Sequence, residues 1–192
     1  MSMKILIVYG TTEGQTAKIS HFIGGTLKDG GHEVTVADAS QTPPSPALYD
    51  AVIIGASIHM HRYQSAVLHY ITSHIETLRK MPGAFFSVCL AIASDFEEEH
   101  KEARKIAADF LKHAGWEPVM TTQIAGALKY RQYDFFTRLI MKMIARKEGR
   151  TTDSSKDYEY TDWNAVREFA KEFTVRVRIH PVAAGTAEPV RY

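Results

Sequence analysis

Two periods of apolar and polar residues alternate along this chain, and the places where one gives way to the other outline its elements. Residues 3–9 form an apolar run of strand length, interrupted only by Lys4, as in a central parallel strand covered on both faces. Ile19, Phe22, Ile23 and Leu27 then recur at helical spacing and stop at Gly30-Gly31. Residues 32–38 alternate and predict a second strand, followed by Pro43-Pro44-Ser45-Pro46, whose rings forbid regular structure. A third strand is predicted over 49–55, a loop over 56–63 and a helix over 65–79, ended by Pro82-Gly83. The pattern then repeats, with a strand over 84–90, a loop through Ser94, a helix over 96–114 and a fifth strand over 119–128. The closing helix is delayed until Thr161-Asp162-Trp163, from which Val166, Phe169, Ala170 and Phe173 restore the helical period. Thr161 or Asp162 can cap this helix, and Trp163 is expected in the core.

Strands alternating with helices predict an α/β fold, a doubly wound five-stranded parallel sheet. For the strand order 2-1-3-4-5, ligands bind outside the carboxyl ends of the strands where the winding reverses, beside the loops after strands one and three. The domain is expected over 1–178, with an insertion at 129–150 after strand five and a disordered tail at 179–192.

The loop after strand one, Thr11-Thr12-Glu13-Gly14-Gln15-Thr16, is where chemistry enters. It brings backbone N–H groups, three threonine hydroxyls and the positive end of a helix dipole to one spot, which suits a phosphate dianion. Gly14 allows a close backbone approach. The same residues also suit an ordinary strand-to-helix turn in which Thr and Gly only cap the helix. The spacing matches neither the dinucleotide-binding glycine pattern nor the lysine-containing P-loop.

Composition narrows the remaining classes. The 192 residues suffice for a core without metals or crosslinks, and the single cysteine, Cys89, lies in an apolar run and is expected to be a buried small hydrophobe. One cysteine permits no internal disulfide, which fits a reducing compartment. The chain enters its first strand at once, without a secretory pattern, and no apolar run approaches the roughly 20 residues that span a bilayer. The acidic run Glu97-Glu98-Glu99 falls in a helix's first turn, where it complements the dipole, and is read as a solvated face. His59 and His61 alternate in the loop after strand three; they offer a proton acceptor near neutral pH or are simply solvated, and without a third ligand nearby no metal is expected.

Net charge is +1, but residues 129–150 carry seven basic and two acidic residues, which leaves the rest of the chain at −4. Within them Phe135, Phe136, Leu139, Ile140, Met143 and Ile144 share one helical face, while Arg138, Lys142 and Arg146 recur every four residues on another. A basic amphipathic helix of this kind lies on an anionic membrane surface, covers a hydrophobic anionic ligand, or docks on its own domain with its charges in water. The aromatics Tyr130, Tyr133, Phe135 and Phe136 cluster at one end instead of interleaving with the charges, so nucleic acid is not expected.

The phosphate-suited turn, the Gly55-Ala56-Ser57 loop and the strand order together resemble the flavodoxin superfamily, which binds FMN. Further stretches are similar to one family within it, the bacterial menaquinone-dependent protoporphyrinogen IX dehydrogenases. They are Val52-Ile53-Ile54-Gly55-Ala56-Ser57-Ile58 after Asp50, Met81-Pro82 with Ala84-Phe85 and Ser87-Val88, Ile124-Ala125-Gly126-Ala127-Leu128 with Tyr130, and Tyr160-Thr161-Asp162-Trp163. The similarity spans about 4–173.

By position, the resemblance implies that Thr11, Thr12, Gly14, Gln15 and Thr16 hold the FMN phosphate. Ser57, Ile58, His59, Met60 and His61, with Ser87, Val88, Leu90 and Ala91, would flank the flavin ring. Glu13 departs from the usual threonine and is expected to face solvent, toward Lys18. Electron-carrier flavodoxins sandwich the flavin between aromatics in an acidic setting; these loops offer Ile58, His59 and Met60 and then Leu90, Ala91 and Ile92, which leaves a face open to a flat substrate.

The implied activity is FMN-dependent oxidation of protoporphyrinogen IX to protoporphyrin IX in haem synthesis, with electrons passed to a membrane quinone and no protein residue assigned as essential acid or base. Arg131, Arg138, Lys142 and Arg146 would meet the substrate's propionates or an anionic membrane surface, placing the protein in the cytoplasm, peripherally on the inner face of the cell membrane. Two other readings are a non-catalytic electron-transfer module docking an acidic redox partner and a general NAD(P)H:quinone reductase. Oligomeric state is left open, a homodimer included.

Overall fold

The structure is a computed structural model and describes residues 2–128 and 158–179. Five parallel strands, β1 (Lys4–Gly10), β2 (Glu33–Asp38), β3 (Ala51–Ser57), β4 (Gly83–Cys89) and β5 (Met120–Ala125), pair in the order β2-β1-β3-β4-β5. The helices are α1 (Gln15–Asp29), α2 (Ser65–Ser73), α3 (Ile75–Leu78), α4 (Glu97–Ala114) and α5 (Trp163–Ile179). The expected architecture is therefore present, and the winding reverses between β1 and β3, which run side by side from Ile5↔Ala51 to Gly10↔Ala56.

The continuous apolar runs have a direct cause, since the central strands are covered on both faces. Ile5, Ile7, Ile53, Phe86 and Val88 meet α1 and α5 through Ile19, Ile23, Phe169 and Phe173. Leu6, Val8, Val52, Ile54 and Phe85 meet the other layer through Val67, Ile71, Ala107 and Leu111. At the edge, β2 buries Val34 and Val36 partly and exposes Glu33 and Thr35, which accounts for its alternation. Of the residues expected on α5, Val166, Phe169, Ala170 and Phe173 are buried, and Trp163 packs on Phe22 at 4.8 Å between ring centres. Asp162 caps the helix by accepting from the N–H groups of Asn164 and Ala165 at 2.9 and 3.0 Å.

β3 runs on to Ser57 into the expected loop, Pro46 opens a short 3₁₀ turn (Pro46–Leu48) where no regular structure was expected, and two elements depart further. The helix predicted over 65–79 breaks at His74, whose φ of −116° leaves the helical region and whose N–H is shared between the carbonyls of Tyr70 and Ile71. The fifth strand ends at Ala125, because its ladder partner β4 ends at Cys89, directly opposite. The chain turns at Gly126, and β6 (Ala127–Leu128) pairs antiparallel with β7 (Tyr158–Glu159) in a separate ribbon. The insertion at 129–150, with Arg131, Arg138, Lys142 and Arg146, lies outside the described residues, as do 180–192 of the predicted tail.

Gly55 is required by packing. A Cβ there would stand 2.0 Å from the ring of Phe86, the residue opposite it on β4. Gly55→Ala is expected to cost about 1–3 kcal/mol or more in urea unfolding through overpacking. Gly25→Ala, at an exposed α1 position with no atom within 4 Å of the new Cβ, is expected to gain about 0.5–1 kcal/mol.

Candidate functional site

The loops after β1 and β3 enclose a small cleft of about 50 Å³ at the carboxyl end of the sheet. The β1–α1 turn lines it with Thr11, Thr12, Glu13, Gln15 and Thr16, and the β3 loop adds Ser57, Ile58 and His59. Val88 and Leu90 come from β4 and its following turn, while Gly126 and Ala127 come from the start of the ribbon.

At one end, the geometry would suit an anion. Gly14 precedes α1 at φ 91°, a left-handed conformation that glycine adopts without a Cβ penalty. Its N–H donates to Thr11 Oγ1 at 2.8 Å, and no side chain caps the helix, so the first-turn N–H groups of α1 are left to whatever enters the cleft. The Thr16 hydroxyl is fully buried and has no partner. A buried hydroxyl in that condition costs about 1–3 kcal/mol until something pairs with it.

Gln64, at the N-terminus of α2, ties this turn to the β3 loop. Its Nε2 donates to Thr12 Oγ1 at 2.9 Å and to Ser57 Oγ at 2.7 Å, and its Oε1 accepts from the Ser57 N–H at 3.3 Å. Nothing in the sequence singled Gln64 out. Glutamine is an uncommon helix cap, and only the crossover from β1 to β3 brings it beside Thr12.

The other end is apolar, walled by Ile58, Val88 and Leu90. Beyond Ile58 the loop makes a tight hairpin, with His59 and Arg62 exchanging backbone hydrogen bonds of 2.8 and 3.0 Å. Met60 and His61 at its tip have φ of 48° and 62°. Positive φ at both central residues is the requirement of a type I′ turn, usually met by Asn and Gly, and non-glycine residues hold it under about 1–3 kcal/mol of strain each. Met60 stands 74% exposed at this tip.

Several predicted residues sit away from the cleft wall. Ser87 is fully buried, and its Oγ accepts from the Tyr63 hydroxyl at 2.7 Å. Tyr63, the loop's only aromatic, is turned inward against Phe85 and Phe110, and burial pushes its phenol well above the ordinary range. Gly14 shapes the turn without lining the cleft, Met60 and His61 form the exposed hairpin tip, and Ala91 lies in the 3₁₀ turn Leu90–Ala93. Cys89 is half-buried and its thiol is pushed up by that burial, the opposite of an activated nucleophile.

Glu13 is half-buried and lines the cleft, and Lys18 is not its partner. Lys18 Nζ instead meets both carboxylate oxygens of Glu159 at 2.8 Å. The Gln15 side chain donates to Glu159 at 2.7 Å and to Thr161 Oγ1 at 2.9 Å, and Thr161 donates to the Ala125 carbonyl at 2.8 Å. The first turn of α1 is thereby latched to the ribbon, a link across 141 residues that no local pattern reveals.

Comparison with known proteins follows the same lines. A family model described as Flavodoxin domain matches residues 6–155. The chain is 37% identical over 171 residues to protoporphyrinogen IX dehydrogenase [quinone] of Escherichia coli strain K12, covering 88% of this chain and 94% of that protein. It is 34% identical over 184 residues to the protein of the same name from Leishmania major, covering 90% of this chain and 75% of that one. The chain belongs to the flavodoxin-domain family. Among solved structures, oxidised flavodoxin 1 from Bacillus cereus superposes with a TM-score of 0.53 at 17% identity, covering 90% of this chain and 97% of that one, a likeness of fold.

Membership of the flavodoxin-domain family implies a flavin cofactor, and the cleft fits one. The unpaired Thr16 hydroxyl and the uncapped α1 turn suit an anionic end group, and the apolar walls suit a flat ring. Among the described residues, no helix is long and apolar enough to cross a membrane.

Hydrogen bonds from Lys18 and Gln15 hold the Glu159 carboxyl below its ordinary range. A depressed carboxyl stabilises the fold above its unfolded value and loses that contribution as pH falls through the folded one. Lys18 is 58% exposed, so a Lys18→Met/Glu159→Gln double-mutant cycle is expected to give only about 0.2–1 kcal/mol of coupling at pH 7, vanishing toward pH 3.

Proposed function

We propose that this protein binds FMN and oxidises protoporphyrinogen IX to protoporphyrin IX, passing the electrons to a membrane quinone. The reading is carried by one observation: the cleft combines an anion-suited turn with walls of Ile58, Val88 and Leu90 and, among the described residues, no stacking aromatic, because Tyr63 is turned into the core. It is supported by the relatives of 37% and 34% identity, both named for this reaction.

The overall change removes six electrons and six protons from the macrocycle, taken as three two-electron steps, each matched by reduction of one quinone. When bound, FMN supplies the two-electron redox chemistry. Thr11, Thr12 and Thr16, with the first-turn N–H groups of α1, would hold its phosphate, while Ile58, Val88 and Leu90 exclude water from one side of the ring site. His59 lines the cleft and His61 stands at the hairpin tip, and neither is assigned as an essential acid or base. Proton loss to solvent is sufficient where the substrate face is open.

Arg131, Arg138, Lys142 and Arg146 supply guanidinium and ammonium donors matched to the two propionates of the substrate or to anionic lipid headgroups. On this reading the protein works in the cytoplasm, held peripherally at the inner face of the cell membrane. The open ring face favours it over a one-electron carrier, which would protect its flavin between aromatics.

The purified protein is expected to be yellow, with flavin absorption bands that bleach on anaerobic mixing with protoporphyrinogen IX and return on adding quinone. Bleaching slower than turnover would exclude this substrate. Neutralising the insertion, as Arg138→Gln/Lys142→Gln/Arg146→Gln, is expected to reduce binding to anionic liposomes or porphyrinogen turnover while FMN content stays unchanged. Unchanged values for both would return the insertion to a structural role.

A further inference from the structure

We infer that Gln64 fixes the polarity of the cleft's phosphate end: it occupies the oxygens of Thr12 and Ser57 so that both hydroxyl protons are presented to the ligand, selecting a fully ionised phosphate over an uncharged alcohol. The inference rests on the flavin reading and deepens it, since it concerns how the site tells a flavin mononucleotide from its dephosphorylated form.

The orientation of the Gln64 amide follows from its partners. The Ser57 N–H can only donate, so the atom facing it at 3.3 Å is the amide oxygen, and the atom facing the two hydroxyls is the NH2 group. Each of its two protons is then placed, one on Thr12 Oγ1 at 2.9 Å and one on Ser57 Oγ at 2.7 Å. A hydroxyl that already accepts from a strong donor completes its bonding by giving its own proton away. Thr11 is in the same state, because its Oγ1 accepts from the Gly14 N–H at 2.8 Å.

Three hydroxyls thus converge with their protons to give, beside an uncapped helix terminus and the unpaired Thr16 hydroxyl. Among the described residues no lysine or arginine lines the cleft and Glu13 brings a carboxylate to it, so the donors facing an anion there are directed hydrogen bonds and the helix end. A phosphate dianion carries three acceptor oxygens and no proton, which suits such a set. A terminal alcohol brings a proton of its own and only one oxygen, and it leaves most of these donors unmatched. Gln64 touches none of the reacting atoms; it is a positioning residue acting through Thr12 and Ser57.

The test compares FMN and riboflavin binding to the full-length flavin-free protein, by quenching of flavin fluorescence, in wild type and Gln64→Met. Methionine keeps the length and removes the directing protons. FMN affinity is expected to fall about tenfold in the variant, with riboflavin affinity unchanged within about twofold. In Gln64→Glu the carboxylate can only accept and draws both hydroxyl protons to itself, so the FMN preference should shrink further. Thr12→Val should reproduce part of the loss and add nothing further in the Gln64→Met background. Equal weakening of both ligands, or no change in their ratio, would overturn the inference while leaving the flavin reading standing. A wild-type protein that refuses FMN at micromolar concentration would remove the flavin reading itself and this inference with it.

Discussion

The first four N–H groups of a helix have no partner within it, and in α1 they are set against the carboxyl end of the central strand β1 without a side chain to satisfy them. That single constraint organises the surrounding structure. Gly14 must take a left-handed conformation to swing the helix axis back over β1, and Thr11 must bend inward to accept its N–H. Thr16 is buried with an idle hydroxyl, so the fold carries a standing cost at this point that a bound anion would relieve.

Stability and access are divided between the two loops that meet there. Tyr63 could have offered its ring to the cleft; instead it bonds to Ser87 and packs edge-on against Phe85 and tilted against Phe110, fastening the root of the β3 loop to the core beneath α4. What remains above it is a short hairpin whose tip holds two left-handed non-glycine residues. The rigid root and strained tip come from the same stretch of chain, and the aromatic that fixes one is withdrawn from the other.

The fold and the location of the cleft were legible because they depend on periodicity and on the order of strands, both written locally. The apolar run of 3–9 marked β1 as buried on two faces, and residue types alone made the threonine-rich turn a candidate anion site. What escaped was non-local. Gln64 and Glu159 act through partners 52 and 144 residues away, and nothing adjacent to either residue hints at the meeting. Ser87 looked available because serine is polar, yet its place on the tyrosine side of β4 seals it. The end of β5 at Ala125 was set by where its neighbour stops, a property of the pair that no single strand contains.

The two-residue ribbon of β6 and β7 has a consequence for how such a protein can change over time. By holding Leu128 and Tyr158 side by side, it turns everything between them into a cassette whose ends are already closed. The entropic penalty of lengthening a closed loop grows only with the logarithm of its size. Segments of very different length can therefore be exchanged at this port while the parallel sheet keeps its shape, so that the joined segment and the sheet are free to evolve on separate clocks.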